Sequence, residues 1–254
     1  MSALDDLRRR YLDLVRDSLM GLLHEGAPSP GEAGRGPAAL DQRLLAGGDD
    51  WTTAALTMID AQRMVQLQQA AETVLREAVP GDFLEAGAWR GGACILMRAV
   101  LAAWGDERRR VWVADSVEGM PPLAPGQPGA SVDKLRDVEG FVVSADDVRA
   151  TFARYDLLDD RVVFLEGWFR DTLRNDAIDT LAILRIDAVL RESTTDALAA
   201  LYDKVAPGGY VILDDYGAFA GCRAAVAEFR RDRGITDPIE WIDDSGIYWR
   251  RRAA

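Results

Sequence analysis

The stretch from 81 to 92, GDFLEAGAWRGG, limits what this chain can fold into more than any other. An apolar run ends in the acidic Glu85 and Ala86, Gly87 comes next, and three residues intervene before the pair Gly91 and Gly92. A buried strand that turns tightly into a helix needs this punctuation, because glycine accepts backbone angles and close approaches that a side chain forbids. Such turns also place backbone N–H groups and a small carboxylate around one end of a nucleotide-like ligand. The plainer reading leaves Gly87 and Gly91 as turn residues only.

The pattern of strands and helices around this turn decides the fold class. Strand patterns at 82–86, 110–115, 161–165, 181–187 and 209–214 alternate with helical patterns at 92–104, 145–156, 192–205 and 219–233. Repeated strand–helix–strand order predicts an α/β, Rossmann-like, mainly parallel sheet covered on both faces. Two more strands, 238–242 and 246–251, are separated by Asp243, Asp244 and Ser245, and a terminal hairpin there makes the sheet seven-stranded with its last strand antiparallel.

The chain of 254 residues, 48% apolar, is read as a single domain spanning 1–254. Leu4, Leu7, Tyr11, Leu14, Val15, Leu19, Leu22 and Leu23 recur at helical steps and predict an amphipathic first helix. Residues 51–78 predict a second, capped by Asp50 or Thr52 and ended before Pro80. The Gly/Pro-rich 26–36 segment and the long 116–144 loop are candidate covers, with 1–50 the N-terminal helix and active-site cover and 116–144 on the acceptor side. A formal charge of -12 argues against capture of nucleic-acid phosphates. Cys94 and Cys222 form no CxxC pair and read as buried small hydrophobes, no segment suits a signal peptide or membrane span, and a cytoplasmic location is expected.

Ligands of open parallel sheets lie beyond the carboxyl ends of the strands. Glu85, Asp115, Glu166, Asp187, Asp214 and Asp215 all fall there. Asp115, at the end of the second strand, suits two ribose hydroxyls, and Glu85 suits a methionine ammonium. A dinucleotide fold asks for glycine room around a pyrophosphate, whereas this turn holds Trp89 and Arg90, so the pocket reads as one for S-adenosylmethionine (SAM) rather than NAD. Ala86, Gly87, Trp89, Gly91, Ser116, Ser144, Gly167 and Trp168 complete the candidate cofactor set. For Trp168 a core or interface role is an equal alternative.

At this point several motifs, in order, carry a family resemblance: GDFLEAGAWRGGACILMRAVL, RVWVADSVEGMP, LAILRID, LYDKVAPGGYVILDDYGAFAGCRAAVAEFR and IYWRR. Over about residues 50–252 the chain resembles the macrocin and mycinamicin sugar O-methyltransferases. The resemblance implies a class I SAM-dependent fold and magnesium-assisted methyl transfer to a deoxysugar hydroxyl on a glycosylated natural product, by an enzyme that self-associates. One departure stands out. The family reads DGDLYEST after the fourth strand, and this chain reads DAVLREST over 187–194. The family's second aspartate, a metal ligand and the proposed general base, is matched by Val189. A second motif, MIGxKRLxNL in the family, becomes MIDAQRMVQL over 58–67.

Asp214 and Asp215 offer adjacent hard oxygen ligands, and Asp187 is the remaining nearby carboxylate. These three are the candidate metal-binding and catalytic residues. Three outcomes stay open: an altered metal site, metal-independent transfer driven by alignment, or a SAM-binding homologue with impaired or no transfer. His24, the sole histidine, is either a base on a segment folded over the pocket or a surface residue at a helix end.

Overall fold

The computed structural model describes residues 2–23, 55–116, 119 and 142–252. Its helices are α1 (Ala3–Leu19), α2 (Ala61–Arg76), α3 (Gly92–Trp104), α4 (Ala145–Arg154), the single turn α5 (Phe169–Thr172), α6 (Arg191–Leu201) and α7 (Ala220–Asp232). Its strands are β1 (Asp82–Ala86), β2 (Val111–Asp115), β3 (Val162–Glu166), β4 (Leu181–Ile186), β5 (Val205–Leu213), β6 (Glu240–Trp241) and β7 (Ile247–Arg250). They form one seven-stranded sheet in the order β3-β2-β1-β4-β5-β7-β6. β1 to β5 pair in parallel, and β7 runs antiparallel to both β5 and β6, as the terminal hairpin requires.

Side-chain alternation explains why the strands read as continuous apolar runs. Phe83, Val111, Val113, Ile183 and Ile212 enter one core with α1, α2, α3 and α4. Leu84, Trp112, Ala114, Leu184 and Val211 enter the other with α6 and α7. Both faces are covered, so neither register of the period-2 pattern is polar.

Two helices, α2 and α1, differ most from the sequence expectation; besides them, the helix expected over 192–205 ends at Leu201 and β5 already begins at Val205. The second begins at residue 61, because the Asp60 carboxylate accepts the N–H groups of Gln62 (2.9 Å) and Arg63 (3.1 Å) and sets the start there. Residues 55–60 are not helical, and Asp50 and Thr52, the expected caps, lie outside the described residues. In α1, Val15 and Leu19 are buried together with Leu12, but Leu4, Leu7 and Leu14 are exposed. Its apolar residues spread over more than one face, and only one docks on α3; beside it Arg8 donates to the Ala103 carbonyl and lies over the Trp104 ring. Leu22 and Leu23 come after the helix end.

Cys94 and Cys222 are free and buried. No helix among the described residues is long and apolar enough to cross a membrane. His24, the 26–36 segment and most of the 116–144 loop lie outside the described residues.

Candidate active site

The strand order reverses between β1 and β4, which opens a crevice beyond their carboxyl ends. Backbone hydrogen bonds carry the sheet one residue past those ends. Gly87 N–H donates to the Ala114 carbonyl (2.8 Å), Asp187 N–H to Ala86 (2.9 Å), Asp214 N–H to Ile186 (3.0 Å) and Gly167 N–H to Asp115 (2.9 Å). The predicted site residues are therefore held at one level along the crevice.

Gly87 has φ +99°, and a Cβ there would lie 2.0 Å from the Asp187 carbonyl oxygen. The approach it permits is to the neighbouring strand end, an internal reason for glycine where the sequence alone suggests room for a ligand. Gly91, at φ +82°, opens α3, where a Cβ would meet Val148 Cγ1 at 2.6 Å. Trp89 also has positive φ, +47°, unusual for a large side chain. That conformation aims its N–H at the Asp115 carboxylate, 2.8 Å away, and Arg90 lies over its ring. Beside this pair is a narrow cleft, lined among others by Ala88, Trp89, Asp115, Val143, Phe164 and Glu166.

The rest of the candidate cofactor set is placed unevenly. Ser116 Oγ donates to the Gly119 carbonyl at 2.5 Å. Ser144 caps α4, accepting the Asp147 N–H and donating to its carboxylate, so its hydroxyl has a structural role next to the cleft-lining Val143 and Ala145. Gly167 comes after Glu166 at φ +133°. Trp168 is half-buried at the start of α5.

Glu85 is 1% exposed, and its carboxylate is already engaged: Arg185 Nη1 donates to Oε1, and the Cys94 thiol donates to Oε2 at 2.8 Å. Burial pushes the Glu85 carboxyl up to about 7 against the opposing pull of Arg185. Burial and Glu85 together raise the Cys94 thiol.

The second half of the site is an acid cluster. One carboxylate oxygen each from Asp187, Asp214 and Asp215 lies within 4.8 Å of the others. Arg185 links them to Glu85: Nη1 also donates to Asp187 Oδ2 at 3.0 Å, and Nη2 donates to Asp214 Oδ1 at 2.5 Å. Arg63 reaches in from α2 and donates to Asp214 Oδ2 at 2.6 Å. Burial and Asp214 push Asp187 up to about 6. Burial, then Asp187 and Asp214, push Asp215 well above the usual carboxylate range. Its Oδ2 is buried without a hydrogen-bond partner.

Sequence reasoning did not single out Arg185, Arg63 or the Cys94–Glu85 contact. For Arg185 a signal existed: a charged residue inside the apolar run LAILRI must have buried partners to be tolerated there. For Arg63 the signal was slighter: on a helix it reads as an ordinary surface residue, but it keeps the arginine of the MIGxKRLxNL motif where the neighbouring lysine position has become Gln62.

Residues 8–251 match the model of the macrocin-O-methyltransferase (TylF) family. The chain belongs to this family. It is 48% identical, over 98% of its length and 95% of the relative's, to 8-demethyl-8-(2,3-dimethoxy-alpha-L-rhamnosyl)-tetracenomycin-C 4'-O-methyltransferase of Streptomyces olivaceus. Mycinamicin III 3''-O-methyltransferase of Micromonospora griseorubida is 40% identical, with 96% of both chains covered. Among solved structures, that of the O-methyltransferase NovP superposes with a TM-score of 0.84 at 42% identity, covering 97% of this chain and 100% of that one. This TylF-family chain is thus an O-methyltransferase with the class I SAM-dependent fold. Its acid cluster assembles without residue 189: Asp187 comes within reach of Asp214 and Asp215 although Val189 is hydrocarbon.

Proposed function

We propose that this enzyme transfers a methyl group from SAM to a hydroxyl of a deoxysugar on a glycosylated natural product, with a divalent cation such as magnesium held by Asp187, Asp214 and Asp215. The observation that carries the reading is the convergence of those three carboxylates at the sheet's switch point, in line with Asp115 and the Trp89 cleft. The names of the relatives, one acting on a rhamnosyl-tetracenomycin and one on mycinamicin III, support the acceptor class.

The donor set suits a hard cation. Asp215 Oδ2 is a buried oxygen lacking a partner, Asp187 is only half-buried, and each carboxylate oxygen of Asp214 keeps a lone pair beyond the one its arginine uses. Bound there, a cation supplies charge that favours the alkoxide form of the acceptor hydroxyl.

The chain's own residues do the rest. Asp115, oriented by the Trp89 N–H, receives the ribose hydroxyls of the cofactor. Gly87 keeps the turn close to the end of β4 and Gly91 lets α3 start against α4, while Ser116, Ser144 and Gly167, chain neighbours of the cleft-lining Asp115, Val143 and Glu166, complete the proposed cofactor set with Ala86 and Trp168. Glu85, through Arg185, sets the charge on the methionine side. Orienting nucleophile, methyl carbon and sulfur nearly in line removes much of the entropic barrier. The acceptor proton leaves to Asp187 or to water, because Val189 offers no oxygen.

Val189 also favours a second reading, in which transfer is metal-independent or lost while SAM binding persists. Incubation with labelled SAM and a panel of glycosylated natural products, with and without chelator, separates the three. Methyl incorporation abolished by chelator supports the first reading; incorporation indifferent to chelator supports metal-independent transfer; SAM binding without incorporation on any acceptor supports the non-catalytic homologue. We further place the enzyme in the cytoplasm, consistent with two free cysteines, and as a homo-oligomer built partly on the exposed leucines of α1.

A further inference from the structure

Arg63 is the unusual member of the acid cluster, because it does not come from the sheet. Its side chain is 7% exposed, and its ion pairs with Asp214 and Asp243 join separate parts of the fold. Nη1 donates to Asp214 Oδ2 at 2.6 Å, and Nε donates to Asp243 Oδ2 at 2.5 Å, in the turn between β6 and β7. Asp243 is itself anchored, its Oδ1 accepting the N–H groups of Ser245 and Gly246. Ser245 Oγ then donates to the Asp214 carbonyl at 2.8 Å. Asp214 is thereby gripped twice from one turn, at its backbone directly and at its carboxylate through Arg63.

Charge explains why a cation is needed at that place. Glu85, Asp187, Asp214, Asp215 and Asp243 lie within one contact network whose cationic partners, among the described residues, are Arg63 and Arg185. Arg185 is fixed inside β4 with three carboxylates around it. Arg63 approaches from α2 and meets the metal-ligand set through one oxygen of Asp214.

We propose that Arg63 is the resident counter-cation of this cluster, a positioning residue that holds Asp214 in place when no metal is bound and competes with a divalent cation for its carboxylate. The proposal rests on the metal reading of Asp187, Asp214 and Asp215. A buried guanidinium in contact with a ligand oxygen repels an incoming divalent ion, so Arg63 lowers cation affinity while it preserves ligand geometry. The SAM turn is tied to the same segment: the Gly92 N–H donates to the Leu56 carbonyl at 3.0 Å and Arg90 to Ala55 at 2.9 Å, a few residues before Arg63.

The test uses the full chain, magnesium titrated by calorimetry, and thermal melts with and without magnesium chloride. Arg63→Met is expected to lower the metal-free melting temperature, to enlarge the rise that magnesium produces, and to tighten magnesium binding on the order of tenfold. Arg63→Lys keeps the charge and should stay near the parent in magnesium affinity. Should the methionine variant fail to accumulate, Arg63→Gln, which retains a donor without charge, is expected to shift affinity in the same direction. A parent that binds no magnesium beside an Arg63→Met variant that does supports the proposal most strongly. A parent that binds magnesium with the affinity unchanged or weakened in Arg63→Met overturns the role of Arg63 and leaves the metal reading intact. No binding by the parent or any variant overturns both.

Discussion

Gly87 and Asp187 are in contact that only a glycine allows: a Cβ on residue 87 would sit 2.0 Å from the Asp187 carbonyl oxygen. This contact brings the end of β1, on the cofactor side, against the end of β4, on the acid side, with the Asp187 N–H donating to Ala86 beside it. Gly87→Ala combines a backbone clash with a positive φ, and a cost of about 2–4 kcal/mol in unfolding free energy is expected. Denaturant midpoints measure it, and a midpoint equal to the parent's would show that the strand ends can part without cost.

Asp115 accepts the Trp89 N–H and faces the cleft beyond β2. Asp115→Ala is expected to weaken SAM or demethylated-product binding by about 1–3 kcal/mol, the range for lost buried hydrogen bonds. Calorimetry checks this, and an unchanged dissociation constant rejects the ribose assignment.

Asp214→Asn and Asp215→Asn keep side-chain size and remove charge. Metal-assisted turnover should fall far more than SAM affinity in both, because the lost interaction is made by the reacting complex rather than by the cofactor. Full turnover in both variants, indifferent to a strong chelator, removes the metal role. Val189→Asp is expected to raise magnesium-dependent transfer where the surrounding pocket keeps family geometry; absence of activity before and after, with SAM bound and a correctly glycosylated acceptor present, favours the non-catalytic homologue.

Away from the site, Asp159 contributes to acid stability. Burial alone would raise its carboxyl, but hydrogen bonds from Arg98 and Arg161 outweigh it and hold it down at about 2. A folded-state pKa below the ordinary value of 3.8 means stability that is fully present above about pH 4 and lost as pH falls through about 2. Asp159→Asn should therefore lower unfolding free energy at neutral pH by on the order of 1 kcal/mol once solvent screening is allowed for, with the gap to the parent narrowing on acidification. A gap that widens below about pH 4 contradicts this account of Asp159.

Leu4, Leu7 and Leu14 are 61%, 65% and 58% exposed on α1, at helical spacing. The terminal strand contributes less to an outer apolar surface than its sequence suggests, since Trp249 is fully buried and the exposed aromatic is Trp241 on β6. Light scattering is expected to give a multiple of the 27.9 kDa chain mass, reduced toward one chain by Leu7→Glu with Leu14→Glu. A single-chain mass for the parent removes the homo-oligomer reading.

By itself the sequence determined the sheet and its chemistry-bearing end. Runs such as LAILRI and GYVIL, short and bounded by turn residues, read as strands buried on both faces, and the glycine-punctuated turn after Glu85 reads as a strand-to-helix turn, so the carboxyl ends carrying Asp115, Asp187, Asp214 and Asp215 were legible from local pattern. Tertiary structure decided which groups meet there. Arg63 lies 151 residues from Asp214, and Arg185 lies 100 from Glu85, and no periodicity encodes such pairings. It also decided that α2 starts at the Asp60 cap and that α1 buries Leu12 rather than Leu14, because the docking face of a helix is chosen by the surface it meets. That Asp187 joins Asp214 and Asp215 despite Val189 depends on the hydrogen bonds that level the ends of β1, β4 and β5, an arrangement that exists only once the strands are side by side.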